Sequence, residues 1–217
     1  MIRILKRRAR QLLARLSVGL ATRWPYSCAM SAMGKLNRIQ LGPEQLQAIA
    51  RTLKTRGPCR LLVFGLGGDS PFWSSLNRGG VTVFLEDNED WLQKVVGQAR
   101  GITAFLVRYD TQRGDWQGLL EHPSSLKMDL PPDVGDQRWD VILVDAPEGW
   151  RDQAPGRMQS IFVASTLIRP PADVFVHDCD REVENVCSHR FLGAENLTTE
   201  IEGPTGLLRH YRLSSAL

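Results

Sequence analysis

The sequence predicts an α/β fold in which helices cover both faces of a mostly parallel, doubly wound β-sheet. Five apolar runs alternate with segments of helical periodicity, and two further strand-like runs follow each other with no helix between them. The five runs are residues 61–64, 81–85, 102–107, 139–144 and 173–176, and the closing pair is 197–201 and 207–213. That pair predicts an antiparallel hairpin at one edge of the sheet.

Helices are expected before, between and after the first five strands. Their predicted positions are residues 2–20, 43–56, a short helix from Ser70-Pro71, 88–99, 116–120, 157–168 and 181–191. Trp73 and Trp91 stand at helical core spacing, so both are predicted to pack inward. Most of segment 110–138 is expected to be loop, because it contains three prolines and three glycines.

Residues 1–38 are predicted to form a basic amphipathic extension of one domain comprising residues 39–217. Residues 1–43 contain nine Lys or Arg and no acid, whereas the rest of the chain has a net charge of −6. The acidic body argues against a nucleic-acid partner. Segment 2–20 is too interrupted by arginine to span a membrane. It could lie on a membrane surface, act as a transit segment, or pack on the domain.

A glycine-rich turn after the first predicted strand is typical of a nucleotide-binding site. The turn contains Gly65, Gly67 and Asp69, and the second strand ends at Glu86 and Asp87. Glu86 follows Gly65 by 21 positions, near the ~20 expected for an acid that binds ribose. These five residues are the candidates for cofactor binding. NAD and S-adenosylmethionine both carry a ribose, so the spacing alone does not choose between them.

Ionisable side chains also follow the fourth and fifth predicted strands, and we interpret them as candidate catalytic residues. Asp145 ends the fourth strand, and His177 and Asp178 end the fifth. The carboxyl ends of such strands share one edge of the sheet. Asp145 and Asp178 could hold a divalent metal ion such as Mg²⁺. Without a metal, His177 or Asp145 could act as a general base, and the alternative role for the acids is salt bridging with arginine.

Two further residues near this edge are candidates for substrate binding. Arg157 opens a predicted helix, and its guanidinium group could clamp a carboxylate on the substrate. A salt bridge to Glu148, Asp152 or Asp178 is the alternative. Trp150 lies in the loop after Asp145 and could either stack on a sugar face or adenine, or anchor the loop.

Four motifs in order resemble the glucuronoxylan 4-O-methyltransferase family of plants, also known as the polysaccharide biosynthesis (DUF579) family. They read LVFGLGGDSPFWSSLNRGGVTVFLED, WDVILVDAPEGW, APGRMQSIF and DVFVHDCDREVEN, and the resemblance covers roughly residues 40–192. It implies a Rossmann-like class I methyltransferase sheet with S-adenosyl-L-methionine as cofactor. It also implies O-methylation of a sugar hydroxyl, with the 4-hydroxyl of glucuronic acid in a polysaccharide as the family substrate.

The same resemblance implies roles for individual residues. Gly65, Gly67, Asp69 and Glu86 would hold the cofactor, Asp145, His177 and Asp178 would face the acceptor, and a uronic acid would give Arg157 a carboxylate partner. The family usually has histidine at the position of Gly68 and carries an N-terminal membrane anchor, and on both points this sequence is expected to depart from the family. We therefore expect a cytoplasmic or membrane-peripheral protein, or a Golgi protein if it is a plant-type member, with peripheral membrane contact through the basic helix. An NAD(P)-dependent oxidoreductase and a non-catalytic scaffold of glycan biosynthesis are the alternatives.

Overall fold

The computed structural model describes residues 2–25, 27–98 and 101–214, and within them one seven-stranded sheet carries helices on both faces. The strands are β1 (Arg60–Phe64), β2 (Val81–Glu86), β3 (Thr103–Leu106), β4 (Trp139–Val144), β5 (Ile168–Val176), β6 (Leu197–Ile201) and β7 (Leu208–Leu213). Their order is β3-β2-β1-β4-β5-β7-β6, and β7 pairs antiparallel with both of its neighbours. The predicted α/β fold and its antiparallel edge hairpin are confirmed.

Nine α-helices are present in the described parts of the chain, together with three short 3₁₀ segments. The helices are α1 (Ile2–Arg23), α2 (Ser27–Asn37), α3 (Pro43–Arg56), α4 (Ser70–Leu76), α5 (Glu89–Gln98), α6 (Trp116–Glu121), α7 (Pro132–Gly135), α8 (Met158–Leu167) and α9 (Glu182–Leu192). The 3₁₀ segments are Arg113–Asp115, Pro123–Leu126 and Ala194–Asn196. The sequence did not predict α2, and the predicted helix end at Ala99 lies outside the described residues.

The apolar core has two parts, one on each face of the sheet. Helices α8 and α9 pack over one face around Trp139 and Met158, and α1 to α4 pack over the other around Phe72 and Trp73. Trp73 is fully buried, as predicted. The inward orientation predicted for Trp91 is wrong, because its side chain is 38% exposed on α5.

The N-terminal helices share the core of the domain. Val18 and Ala21 of α1 and Met30 and Met33 of α2 are buried in the same apolar cluster as α3. One face of α1 therefore packs on the domain, which was one of the three alternatives for this segment. The opposite face exposes Leu12, Leu13, Leu16 and Leu20; the side chains of Ile2 and Leu5 lie outside the described residues. Among the described helices, none is long and apolar enough to cross a membrane.

The strand register brings the predicted site residues to one edge. Phe64 of β1 aligns with Leu85 of β2 on one side and with Val144 of β4 on the other, and Val144 aligns with Val176 of β5. The residues that follow these aligned positions therefore meet at the carboxyl edge of the sheet. They are Gly65, Glu86, Asp145 and His177.

Candidate functional site

A cavity of about 360 Å³ opens at this carboxyl edge. Its walls come from the turn after β1, the ends of β2 and β4, the chain after α2, and α5. The predicted site residues that line it are Gly65, Gly67, Asp69, Glu86 and Asp145. Asp87, also predicted to bind the cofactor, is exposed and is not among the residues that line the cavity.

The glycine turn approaches the chain after β4 closely because Gly65 has no side chain. Gly65 has φ of +114°, which side chains rarely adopt, and a Cβ atom there would lie 3.1 Å from Cβ of Ala146. Its N–H donates to the carbonyl of Leu85 at 2.8 Å, which fixes the turn to β2. The turn therefore presents backbone rather than side chain to the cavity at this point.

Glu86 closes the β2 side of the cavity as a buried carboxylate. Its Oε2 accepts a hydrogen bond from the Leu66 N–H at 3.1 Å, and its Oε1 accepts one from the Asn88 N–H at 3.0 Å. Burial raises the pKa of Glu86 above its ordinary value, although the two backbone donors oppose that change. A carboxylate in this position can accept hydrogen bonds from ribose hydroxyls.

Asp145 closes the β4 side and is held by two positively polarised partners. Nδ1 of His177 lies 2.9 Å from Oδ1 of Asp145, and Nη2 of Arg157 lies 3.5 Å from the same oxygen. Burial raises the pKa of Asp145, but the His177 hydrogen bond and the Arg157 charge outweigh burial and leave this pKa below its usual value. Asp145 is therefore an ionised carboxylate at neutral pH.

His177 and Asp178 lie behind Asp145 and do not line the cavity. The His177 side chain is 1% exposed, and its Nε2 has no hydrogen-bond partner among the described residues. Oδ2 of Asp178 lies 2.7 Å from Nη2 of Arg157 and 3.0 Å from Nη1 of Arg181. Of the three predicted catalytic side chains, Asp145 alone reaches the cavity, and the other two belong to the network that supports it.

Arg157 belongs to the same buried network. Its Nε donates to the carbonyl of Pro147 at 3.2 Å, Nη1 donates to the carbonyl of His177 at 2.9 Å, and Nη2 pairs with Asp178. All three nitrogens are engaged within the protein, and the residue is buried. Arg157 is therefore not placed to clamp a substrate carboxylate; the structure contains the salt bridge to Asp178 that was the alternative.

The proposed metal ligands do not form a metal site. The carboxylate of Asp178 already lies between two guanidinium groups, and that of Asp145 contacts His177 and Arg157. Two neighbouring positive charges oppose a divalent cation at this position. In the described ranges, no group of three or more His, Cys, Asp or Glu side chains could hold a metal ion. The prediction of a metal at Asp145 and Asp178 is not supported.

Trp150 stands in the loop after β4 with 66% of its surface exposed. The Arg151 guanidinium carbon lies 5.0 Å from the centre of the Trp150 ring, and Arg151 also forms a two-pronged bond with Glu148, at 2.6 and 3.0 Å. The ring is free to meet a sugar face. Substrate binding by Trp150 remains a prediction.

Trp91 and Arg38 line the cavity but were not predicted as site residues. Trp91 lines the cavity, and its Nε1 donates to the Leu66 carbonyl at 2.5 Å, so it fixes α5 to the glycine turn. Its helical spacing suggested core packing, which concealed this position. Arg38 lines the cavity from just beyond α2. Because α2 was itself unpredicted, no pattern in the sequence located Arg38.

The strand order, the glycine turn after β1 and the acid at the end of β2 define a Rossmann-like class I methyltransferase fold. Among solved structures, the cofactor-bound Rv0187 from MTB superposes with a TM-score of 0.50 at 16% identity. The match covers 87% of this chain and 88% of that chain. At this identity, the likeness concerns the fold alone.

The family model IRX15/IRX15L/GXM matches residues 44–128 and 123–211, and the chain belongs to this family. Glucuronoxylan 4-O-methyltransferase 1 of Arabidopsis thaliana is 35% identical over 221 residues, covering 91% of this chain and 77% of that protein. Glucuronoxylan 4-O-methyltransferase 2 of the same plant is 38% identical over 193 residues. That match covers 79% of this chain but 65% of the relative, slightly less than two thirds of its length. The family expected from the four motifs is confirmed.

Proposed function

We propose that this protein transfers a methyl group from S-adenosyl-L-methionine to a sugar hydroxyl, namely the 4-hydroxyl of glucuronic acid in a glycan such as glucuronoxylan. The observation that carries the proposal is the single cavity that the glycine turn, Glu86 and Asp145 share. Glu86, the candidate ribose-binding acid, and Asp145, the candidate proton acceptor, both line this cavity. The names of the two Arabidopsis relatives support the choice of reaction and of glycan.

The residues of the turn fit this cofactor. The backbone around Gly65 and Gly67 would contact its amino-acid portion, and Glu86 would accept hydrogen bonds from the ribose hydroxyls. When bound, the cofactor supplies an electrophilic methyl group on a positively charged sulfur. The protein would bind the cofactor, orient its methyl group and shield that group from water.

Asp145 is the group that would meet the acceptor hydroxyl. Its ionised carboxylate can accept the hydroxyl hydrogen bond and then the proton, while the His177 Nδ1–H holds its orientation from behind. A carboxylate with a lowered pKa is a weak base. Much of the rate would therefore come from holding the hydroxyl in line with the methyl group.

The loop after β4 is the candidate acceptor surface. The exposed ring of Trp150 can stack on a sugar face, and Arg151 beside it can contact a uronate carboxylate. Arg151 is paired with Glu148 at the surface, where solvent screens the attraction between the two charges. Exchange of this pair for a substrate carboxylate is therefore inexpensive.

The test combines ligand binding with methyl transfer. Calorimetry with S-adenosylhomocysteine and with NAD should show binding of the first ligand and not of the second. Incubation of glucuronic-acid-bearing xylo-oligosaccharides with methyl-labelled cofactor should yield labelled product. The Asp145→Asn variant should bind S-adenosylhomocysteine as the wild-type protein does, but its rate of methyl transfer should fall about a hundredfold or more. Asp133→Asn, which changes an exposed acid on α7, is the control.

Two outcomes would contradict this function, and a third would contradict only the role of Asp145. Binding of NAD alone favours an oxidoreductase, and binding of neither ligand favours a non-catalytic scaffold. Full turnover by Asp145→Asn removes Asp145 from the chemistry while leaving the methyltransferase proposal in place.

We also propose that α1 makes peripheral contact with an anionic membrane surface. Leu12, Leu13, Leu16 and Leu20 form an exposed apolar row, each between 47% and 60% exposed. Exposed arginines flank the row at Arg8, Arg10 and Arg15. An apolar row bordered by arginine is the pattern of a helix that lies in the interface of an anionic bilayer.

A further inference from the structure

Glu184 is a buried acid for which the site described above has no use. It lies in the first turn of α9 and is 0% exposed. Neither of its carboxyl oxygens has a hydrogen-bond partner among the described residues. A buried polar group without a partner is costly, because it has given up its contacts with water. A group of this kind in a folded protein therefore calls for a structural or functional explanation.

The carboxyl group of Glu184 lies against the loop that follows β4. A Cβ atom added to Gly149 would lie 2.5 Å from Oε1 of Glu184 and 3.3 Å from Nη1 of Arg181. The first distance is shorter than real Cβ atoms show, so only glycine lets the loop backbone approach the acid this closely. Gly149 is buried, whereas Glu148 and Trp150 on either side of it are exposed. Gly149 is therefore the point at which this loop packs against α9.

Hydrogen bonds hold other parts of the same loop. The Gly156 N–H donates to the Glu148 carbonyl at 3.0 Å and closes the loop, and the Arg113 N–H donates to the Ala154 carbonyl at 2.7 Å. Residues 150–153 are exposed between these points. The position of the exposed ring and guanidinium group in this stretch therefore depends on how the neighbouring glycine packs.

The surroundings of Glu184 favour its neutral form. Burial raises the pKa of Glu184 above its ordinary value, and the Asp178 carboxylate adds to this effect. The guanidinium groups of Arg157 and Arg181 oppose it. Both are paired with Asp178, at 2.7 and 3.0 Å, and neither forms an ion pair with Glu184. Glu184 therefore meets the loop as an acid whose size and shape, rather than its charge, determine the contact.

We infer that Glu184 is a positioning residue for the acceptor, because it packs against Gly149 and so fixes the loop that carries Trp150 and Arg151. The inference rests on the proposed function and deepens the role given there to the same loop. Glu184 itself contacts neither substrate nor cofactor. Neither Gly149 nor Glu184 lines the cavity at the glycine turn, so a shift of the loop should weaken acceptor binding and leave cofactor binding unchanged.

Gly149→Ala tests this contact, because it adds the methyl group that Glu184 excludes. The acid is fully buried and has little room to move aside, so the loop should shift. With a glucuronic-acid-bearing xylo-oligosaccharide as acceptor, KM should rise about tenfold or more and kcat should change much less. Affinity for S-adenosylhomocysteine, measured by calorimetry, should stay within about twofold of wild type. Gly118→Ala, on α6 with no atom within 4 Å of an added Cβ, is the matched control.

Variants of Glu184 test the same contact from the other side. Glu184→Ala should also raise the acceptor KM, because the loop loses its support. The double variant Gly149→Ala/Glu184→Ala should raise KM less than the product of the two single effects, because the added methyl group then has room. Glu184→Gln, which matches the neutral acid in size, should keep KM within about twofold of wild type. The thermal midpoint of each variant checks that it is folded.

These measurements separate the inference from the proposed function. An unchanged acceptor KM in Gly149→Ala and Glu184→Ala, or single effects that simply multiply in the double variant, overturn the inference alone. A loss in Glu184→Gln as large as that in Glu184→Ala contradicts a role through packing. Wild-type protein that binds S-adenosylhomocysteine but methylates no glucuronic-acid-bearing oligosaccharide overturns the proposed acceptor, and this inference with it.

Discussion

The carboxyl group of Asp69 has a pKa near neutrality, so a modest change in pH would alter its charge and with it the affinity for the cofactor. Its pKa is raised to about 6, mainly by burial, and the groups that face it are Trp73, Asp145 and His177. The ammonium group of the proposed cofactor would pair with the ionised form of the Asp69 carboxyl group. Below about pH 6 the carboxyl is increasingly protonated, and binding must first remove that proton. Affinity should therefore fall by up to about tenfold per pH unit below pH 6 and be level above about pH 7.

Calorimetric titration of S-adenosylhomocysteine between pH 5 and pH 8 measures this dependence. Asp69→Asn should flatten the profile because its amide does not titrate. 5′-Methylthioadenosine, which has no ammonium group, serves as the control ligand for titration of Glu86 and Asp145. Parallel pH profiles for the two ligands with wild-type protein would exclude Asp69 as the titrating group.

Individual site residues differ in how far the sequence could predict them. Glu86 and Asp145 were predicted together because apolar runs locate strand ends, and parallel strand ends meet at one edge. The direction in which a side chain points could not be predicted in the same way. Arg157 turned inward because two carbonyl groups and the Asp178 carboxylate lie beneath it. Those acceptors come from loops whose paths no local pattern determines.

At the level of elements, Arg157 joins the start of α8 to the ends of β4 and β5. Removing it would leave the buried Asp178 carboxylate with Arg181 and the His177 ring and take away donors from two carbonyl groups. Breaking a buried ion pair on one side costs about 3–5 kcal/mol. Arg157→Met should therefore lower the free energy of unfolding by about 3 kcal/mol or more, as measured by urea denaturation.

A second arginine provides the comparison for this prediction. Arg169 pairs with Asp140 at 2.5 Å but is 60% exposed, so Arg169→Met should cost less than about 1 kcal/mol. Arg157→Lys keeps the charge but replaces a three-nitrogen donor with one ammonium group, and should fall between the two. Similar losses for Arg157→Met and Arg169→Met would mean that the buried network does not stabilise the strand ends.

Elements were predicted well where the periodicity was strong and poorly where it was weak. The seven strands follow from apolar runs, but β5 begins at Ile168 rather than at residue 173. Pro170 and Pro171 suggested a loop there. They are tolerated because the pairing of β4 and β5 is irregular between Trp139 and Val141, where no ladder donor is needed. The helix α2 was missed although it buries Met30 and Met33, because it lies inside the segment that was predicted as a single basic extension.

For the molecule as a whole, charge and apolar exposure coincide on one helix. The body of the chain after residue 43 has a net charge of −6, whereas the segment before it carries nine basic residues and no acid. The exposed leucines of α1 lie within that basic segment, opposite the face that packs Val18 and Ala21 into the core. The proposed contact with an anionic bilayer would satisfy both properties, because each basic residue near such a surface contributes about 1 kcal/mol.

Vesicle co-sedimentation tests whether α1 binds an anionic membrane surface. Wild-type protein should bind vesicles that contain phosphatidylserine, should bind pure phosphatidylcholine vesicles weakly, and should lose binding as salt concentration rises. Leu16→Glu places an acid in the apolar row and should reduce binding about tenfold or more, because it removes a leucine that would be buried in the bilayer and repels anionic lipid. Val81→Glu makes the same kind of change at an exposed residue at the start of β2, outside α1, and should leave binding unchanged. Equal vesicle binding by the two variants would contradict the proposed contact. If light scattering instead shows a dimer that Leu16→Glu dissociates, the leucine row binds a second copy of the chain.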